Sequence, residues 1–223
     1  LALTSADTAP ITCNKSTQVT IVAAEGSVNS LTDSAKNNDD EYPDNEAAEN
    51  AVIKCKDGSQ VTLCGTGSLT VTANSKNGIK SGTTTAEEGE ASLTICELTL
   101  TINAPVNDAV NAEQTLNVES GTLTIAAADD ALHSDLVLNI GAEGTEGPAI
   151  TITECDEGIE GAELNIYSGD ISINSSDDCL NAANSDLSGY DFTMTITGGT
   201  IVAYSSRGDG FDSNGDLTIS GGS

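Results

Sequence analysis

The chain has 223 residues, of which 35 are Asp or Glu and 7 are Lys or Arg, and its formal net charge is −28. This charge disfavours nucleic acid as a partner, because a polyanion repels a polyanion and few cations are present to replace its counterions. No apolar run approaches the roughly 18 residues that a membrane span requires. The hydrophobic content of 37%, arranged in alternating runs, favours a folded chain over a disordered one.

The first predicted elements are two similar segments. Residues 10–21 read PITCNKSTQVTI and residues 52–63 read VIKCKDGSQVTL, so their alignment pairs Cys13 with Cys55. The connection between them, at about residues 33–50, is rich in Asp and Glu and predicts a solvated acidic loop. Because the sequence begins and ends in mid-pattern, we expect flanking sequence.

From residue 77 onward a short pattern recurs: an acidic or amide residue, a small residue, a large apolar residue and a polar one. The small residues stand at positions 78, 109, 131, 158, 179 and 210. Each is followed by one member of an apolar column: Ile79, Val110, Leu132, Ile159, Leu180 and Phe211. Alternating runs rich in Thr and Ile flank each copy and predict short strands.

The repeat predicts an all-β fold in which the chain winds as a parallel β-solenoid. The shortest interval between copies, 21 residues, suits one coil, and the whole chain suits about eight coils in a single domain, 1–223. A β-sandwich also contains short strands, but it does not explain why one short pattern recurs six times at the same phase. Equivalent residues of successive coils would stack about 4.8 Å apart. The apolar column would then form the core, and the small residues would mark a sharp turn of the chain.

Six cysteines without a CxxC motif indicate disulfides formed in an oxidising, extracytoplasmic setting. Buried free thiols are the alternative. Residues stacked in adjacent coils lie within the Cα separation of about 4.4–6.8 Å that a disulfide needs. We therefore predict the pairs Cys13–Cys55, Cys64–Cys96 and Cys155–Cys179, of which the last is three residues out of phase.

Acidic residues also fall at repeated phases, where stacked like charges would oppose folding. A divalent cation between coils would reverse that repulsion, and hard oxygen ligands favour Ca²⁺. The alternative is that Asp and Asn simply suit turns, where their side chains bond nearby backbone amides. The predicted Ca²⁺ ligands are Asp129, Asp130, Asp156, Glu157, Glu160, Asp177, Asp178, Asp209 and Asp212.

Other candidate residues are fewer. His133, the single histidine, is expected to be an incidental surface residue. Arg207, the single arginine, is expected to pair with Asp209 or Asp212 and is also a possible ligand-binding residue. Tyr167 and Tyr204 are further candidates, since their rings could stack on sugar faces. Repeated Thr-x-Thr pairs predict a regular face of hydroxyl groups. Such a face is typical of an exposed strand, and it would also suit docking of a polysaccharide or the ordering of water, as in ice binding. The pairs are Thr70/Thr72, Thr99/Thr101, Thr122/Thr124 and Thr151/Thr153.

The repeated motifs resemble those of a known family, the clostridial-type secreted, calcium-containing carbohydrate-binding domains. The residues that carry the resemblance are Asp129–Ser134, Asp156–Gly161, Asp177–Asn181 and Gly208–Asn214, the last followed by Leu217–Gly222. The resemblance implies a right-handed single-stranded parallel β-helix, similar to pectate lyases. It also implies binding of the plant cell-wall polysaccharides cellulose and polygalacturonic acid (pectin) at a bacterial cell surface.

These observations predict a secreted or cell-surface, non-catalytic protein in which a Ca²⁺-stabilised β-helix binds a polysaccharide. A pectate-lyase-like polysaccharide lyase is the first alternative. It would need Ca²⁺ to acidify a proton and a basic residue to remove it, and the candidates are Arg207 and the six lysines, Lys76 and Lys80 among them. A structural or adhesive solenoid, including an ice-binding one, is the second alternative.

Overall fold

A computed structural model describes residues 1–223 and contains 22 β-strands and no helix. The strands form two sheets of 8 and 14 strands. The first sheet contains β1 (Ala2–Thr4), β4 (Val28–Thr32), β7 (Ser68–Thr72), β10 (Thr99–Ala104), β13 (Thr122–Ala127), β15 (Ala149–Glu154), β17 (Asp170–Ser175) and β20 (Thr200–Ser205). The second contains β2 (Ile11–Cys13), β3 (Gln18–Val22), β5 (Ala51–Cys55), β6 (Gln60–Cys64), β8 (Asn77–Ser81), β9 (Ser92–Ile95), β11 (Val110–Ala112), β12 (Thr115–Val118), β14 (Leu132–Ile140), β16 (Ile159–Ile166), β18 (Leu180–Ala182), β19 (Thr193–Ile196), β21 (Phe211–Ser213) and β22 (Asp216–Ile219).

All strands within the two sheets pair in parallel with strands from an earlier or later passage of the chain. The first sheet runs in the order β1-β4-β7-β10-β13-β15-β17-β20. The second sheet has two rows of strands, which the long strands β14 and β16 join because each of them belongs to both rows. We call one passage of the chain through the first sheet and both rows a winding. The all-β prediction and the parallel pairing are confirmed.

The predicted apolar column lies at one register position of the second sheet. Ile79 pairs with Val110, Val110 with Leu132, Leu132 with Ile159, and Ile159 with Leu180. All five are fully buried and belong to one hydrophobic cluster of 43 residues. Phe211, in the last winding, is 37% exposed. The repeat therefore predicted the register of the core correctly, because each winding places its large apolar residue on the same column.

The column of small residues exists for a different reason from the predicted one. Neither Gly78 nor Gly158 has a positive φ, so neither marks a turn that only glycine can make. Instead, a Cβ at Gly158 would lie 2.3 Å from the carbonyl oxygen of Cys179 in the next winding. At Gly78 the same atom would lie 2.4 Å from the carbonyl oxygen of Ala109. Close approach of adjacent windings thus requires the small residues there.

The connection at residues 33–50 is less solvated than its composition predicts. Asp33, Asn37 and Asn38 are buried, whereas Asp39, Glu41 and Asp44 are exposed. The Asn37 amide donates to Asp33 Oδ2 and to the backbone carbonyl of Ala51, both at 2.9 Å. The ends of this loop are therefore fixed to the sheets by buried polar side chains, and only its middle is a solvated acidic segment.

The six cysteines are free thiols in the structure, not the three disulfides that the sequence predicts. Each predicted pair nevertheless lies together. Cys13 and Cys55 are direct register partners on β2 and β5, and a hydrogen bond between the two thiols lowers the pKa of Cys13 to about 7. Burial, followed by the charge of Cys64, raises the pKa of Cys96 to about 11. Burial, followed by the charge of Cys179, raises that of Cys155 to about 12.

No helix of the chain has the length and apolarity needed to cross a membrane.

Candidate metal and carbohydrate sites

Seven of the nine predicted acidic residues stack in two adjacent rows beside the second sheet, and Glu160 and Asp212 lie in a third row described below. In the outer row, the Asp156 amide donates to the Asp129 carbonyl and the Asp177 amide to the Asp156 carbonyl, both at 2.9 Å. In the inner row, each backbone carbonyl accepts a hydrogen bond from a backbone amide of the preceding winding, and the donor belongs to the column of small residues. The inner row comprises Asp108, Asp130, Glu157, Asp178 and Asp209.

Stacking places these carboxylates in one another's electric field. Burial, followed by the charges of Asp108 and Asp156, raises the pKa of Asp129. Burial also raises the pKa of Asp178, although a hydrogen bond from the Asp209 amide lowers it. The rows therefore carry a repulsion that protons or cations would relieve.

Arg207 supplies one positive charge to the outer row. Its Nη2 donates to Asp156 Oδ1 at 3.1 Å and to Ser176 Oγ at 3.0 Å. The predicted pairing of Arg207 with Asp209 or Asp212 is thus wrong. The guanidinium reaches back to the carbonyl and hydroxyl oxygens of Ser176 in the preceding winding and to Asp156 in the winding before that, not forward along its own winding.

A third row of polar residues follows the apolar column and holds His133. Its members in register are Lys80, Asn111, His133, Glu160, Asn181 and Asp212. The His133 side chain is only 15% exposed. The prediction that His133 is an incidental surface residue is therefore wrong. Its Nδ1 lies 2.9 Å from Asp130 Oδ2 and 3.5 Å from Glu160 Oε1, and its Nε2 lies 2.9 Å from Asp135 Oδ1.

The groups around His133 strongly perturb one another. Burial alone lowers the pKa of His133, but hydrogen bonds to Asp130 and Asp135 outweigh it and raise the pKa to about 11. Burial, together with a hydrogen bond to Glu157 and its charge, raises the pKa of Glu160 to about 9. Burial raises the pKa of Asp130 to about 6 against the opposing contact with His133. Such shifts mark this cluster as a candidate functional site.

A separate polar groove of about 1030 Å³ runs along the second sheet. Asn117 and Asn139 line it, and Asn139 is the register partner of both Asn117 and Asn165, of which Asn165 lies beyond the groove lining. The three amides form a ladder: Asn139 Nδ2 donates to Asn117 Oδ1 at 2.9 Å, and Asn165 Nδ2 donates to Asn139 Oδ1 at 3.1 Å. Tyr167 lies at the side of the groove, as do Glu119, Glu143 and Glu146.

The amide ladder was not among the residues predicted from the sequence. Its signal was present in the threefold repetition of Leu-Asn followed by Val or Ile, at 116–118, 138–140 and 164–166. Alternation places the Asn of each triplet opposite to the buried Leu and Ile, so the same phase argument that identified the core also identifies the ladder.

The structure separates the three residues predicted to bind a ligand. Tyr167 lies in the groove of the second sheet. Tyr204 lies on β20 of the first sheet, where it pairs with Asn174 and is 62% exposed. Arg207 contacts the outer acidic row. They do not form one binding site.

The first sheet presents the predicted face of hydroxyl groups. Thr70, Thr101, Thr124 and Thr151 are consecutive register partners and all are exposed. This regular row lies on a different sheet from the groove.

The structure is thus an all-β chain of parallel windings with an open polar groove. A family model described as "Carbohydrate-binding domain-containing protein" matches residues 1–223, and the chain belongs to that family. No curated protein and no solved structure matched the chain.

Proposed function

We propose that this protein binds a polysaccharide without cleaving it, at the cell surface or outside the cell. In this proposal the windings form a right-handed parallel β-helix of about eight coils that Ca²⁺ stabilises. The ligand class is plant cell-wall polysaccharide, either cellulose or polygalacturonic acid (pectin). The family of the whole chain supports carbohydrate binding, and the resemblance of its motifs supports the finer statement.

The groove beside Tyr167 is the observation that carries the proposal. Each amide of the Asn117–Asn139–Asn165 ladder offers donors and an acceptor, the groups that sugar hydroxyls require. The Tyr167 ring supplies an amphipathic surface on which a sugar face can pack. The groove is open to solvent, as binding to a polymer in mid-chain requires.

The charge of the groove separates the two candidate polysaccharides. Glu119, Glu143 and Glu146 border it, and a uronate polymer would meet their repulsion. Cellulose is neutral and would not. Polygalacturonate would therefore bind only where Ca²⁺ bridges carboxylates of protein and ligand.

The proposed Ca²⁺ ions occupy the two stacked acidic rows. The outer row (Asp129, Asp156, Asp177) and the far end of the inner row (Asp178, Asp209), with Asp212 beside it, offer oxygen ligands alone, which suit Ca²⁺. A cation held between windings would offset their repulsion and so stabilise the fold.

The basic groups favour a non-catalytic role over a polysaccharide lyase. Lys80 contacts Glu113 at 3.0 Å, Lys76 contacts Asp40, and Arg207 contacts Asp156 at 3.1 Å. Lys15, Lys36 and Lys56 also contact carboxylates, and only Lys54 of the seven basic side chains has no ion pair. A lyase needs a basic group free to take a proton from the substrate, so these contacts disfavour six of the seven candidates.

Retention on solid cellulose and on polygalacturonate, with excess Ca²⁺ or with EDTA, tests the proposal. We expect the wild type to bind, and Tyr167→Ala to weaken binding by about 10-fold, because an aromatic contact at a binding site contributes about 1.4 kcal/mol or more. Tyr204→Ala is the matched control, since Tyr204 lies on the other sheet. Failure of the wild type to bind either polymer would overturn the proposal. Unsaturated product released from polygalacturonate would replace it with the lyase.

A further inference from the structure

The single histidine of the chain places a ring nitrogen among carboxylates, whereas the rest of the acidic rows offers oxygen atoms alone. We propose that Asp130, His133 and Glu160 form a binding site for a divalent transition-metal ion of the Zn²⁺ class, distinct from the Ca²⁺ sites proposed for the outer row. This proposal does not depend on carbohydrate binding.

The separations of the three ligand atoms suit one small ion. His133 Nδ1 lies 2.9 Å from Asp130 Oδ2 and 3.5 Å from Glu160 Oε1, and all three ligand atoms lie within 4.8 Å of one another. Two ligand atoms about 2.0–2.1 Å from Zn²⁺ at a tetrahedral angle are about 3.3 Å apart. The observed separations bracket that value, so small side-chain movements would close the site.

The second nitrogen of the His133 ring has the partner that metal-binding histidines usually have. Its Nε2 lies 2.9 Å from Asp135 Oδ1, which leaves Nδ1 facing Asp130 and Glu160. An ion bound at Nδ1 would replace the proton that this nitrogen carries and release it to solvent. A carboxylate that accepts the remote N–H fixes the ring orientation and increases the basicity of the ligating nitrogen. Asp135 is therefore a positioning residue for the site.

Asn181 provides an independent observation at the same place. Its side chain is in the next winding, in register with Glu160, and the residue is only 8% exposed. Its Oδ1 is buried without a hydrogen-bond partner, while its Nδ2 donates to Glu157 Oε2 at 3.0 Å and to Glu160 Oε2 at 3.2 Å. A half-turn of the amide would give up these two hydrogen bonds and turn the unpartnered oxygen towards Glu160, where it could contact the same ion.

The backbone holds these groups rigidly. His133, Glu160 and Asn181 stand at one register position of β14, β16 and β18, and Asp130 lies in the short turn before β14. An imidazole nitrogen suits Zn²⁺ and its neighbours in the first transition row, whereas Ca²⁺ prefers oxygen ligands alone. The histidine thus converts one position of an oxygen-rich row into a mixed site with a different selectivity.

Titration of the full chain with Zn²⁺ in excess Ca²⁺, with no polysaccharide present, tests the site by calorimetry. We expect one equivalent of Zn²⁺ to bind to the wild type. Asp135→Asn should weaken Zn²⁺ binding by about 10–100-fold, and His133→Gln should weaken it by at least as much. Asp170→Asn, an exposed carboxylate on β17 of the other sheet, is the control and should bind as the wild type does.

Visible absorption of Co²⁺ bound in place of Zn²⁺ gives a second readout, since a histidine-ligated tetrahedral ion absorbs more strongly than hydrated Co²⁺. Circular dichroism of each variant checks that the fold is retained, and Glu160→Gln replaces His133→Gln if that variant does not fold. Absence of Zn²⁺ binding to the wild type in excess Ca²⁺ would overturn the proposal. Equal Zn²⁺ affinity in the wild type and in His133→Gln, or in Glu160→Gln where it replaces that variant, would also overturn the proposal.

Discussion

Gly158 provides the most direct test of how closely the windings approach each other. A Cβ placed there would lie 2.3 Å from the Cys179 carbonyl oxygen and 2.7 Å from Ile173 Cγ2, whereas ordinary contacts begin near 3.4 Å. Gly158→Ala therefore requires the next winding to move by about 1 Å. The hydrogen bond from the Ile159 amide to that same Cys179 carbonyl, at 3.0 Å, would be distorted by the movement.

The expected cost of this substitution follows from three contributions. Overpacking of a well-filled site costs about 1–3 kcal/mol, and weakening one buried hydrogen bond costs about 1 kcal/mol. Replacing Gly by Ala restricts the unfolded chain and returns about 0.4–1 kcal/mol. We expect Gly158→Ala to lower the free energy of unfolding by about 2 kcal/mol.

Gly210 offers a matched control at the same position of the last winding. A Cβ added to Gly210 would have no neighbouring atom within 4 Å, and the residue has no positive φ. Gly210→Ala should therefore be neutral or stabilising by up to about 1 kcal/mol. Urea unfolding followed by far-ultraviolet circular dichroism gives both values at constant metal concentration. Equal midpoints for the two variants would refute the close approach inferred at Gly158.

Two further predictions concern the covalent and metal links between windings. Under oxidising conditions we expect Cys13 and Cys55 to form a disulfide, which peptide mapping by mass would detect. Because 42 positions separate the two cysteines, Cys13→Ser should lower the free energy of unfolding of the oxidised protein by about 4 kcal/mol; an equal loss under reducing conditions would contradict the bridge. In excess Ca²⁺ the melting temperature should fall on addition of EDTA, since a ligand that binds only the folded state stabilises it, and an unchanged melting temperature would argue against Ca²⁺ in the acidic rows.

The sequence predicted the register of the fold well and the lateral contacts poorly. Ile79, Val110 and Leu132 could be aligned because each recurs at one phase of the repeat, and parallel pairing then stacks them. The need for a small residue at Gly158 could not be predicted in this way, because it depends on how close the backbone of the next winding comes. For His133, the repeat does stack it beside Glu160, but its burial and its contact with Asp130 depend on how the chain bends before β14.

The amide ladder of the groove was predictable in principle, and its omission has a simple cause. The alternating runs that contain Asn117, Asn139 and Asn165 were interpreted for their buried residues. The residues between them face outward at the same phase, so they stack as regularly as the core does.

The Asn117–Asn139–Asn165 ladder also has a consequence for how such a site can change its length. Three successive windings each contribute one amide at this register position, and the windings on either side place Thr94 and Thr195 there. Gaining or losing a whole winding within the ladder would therefore add or remove one identical step. In the proposed function, the reach of the site along a polymer would therefore be counted in windings, whereas the chemistry of each step is set by a single side chain. Affinity and selectivity could in this way be adjusted separately.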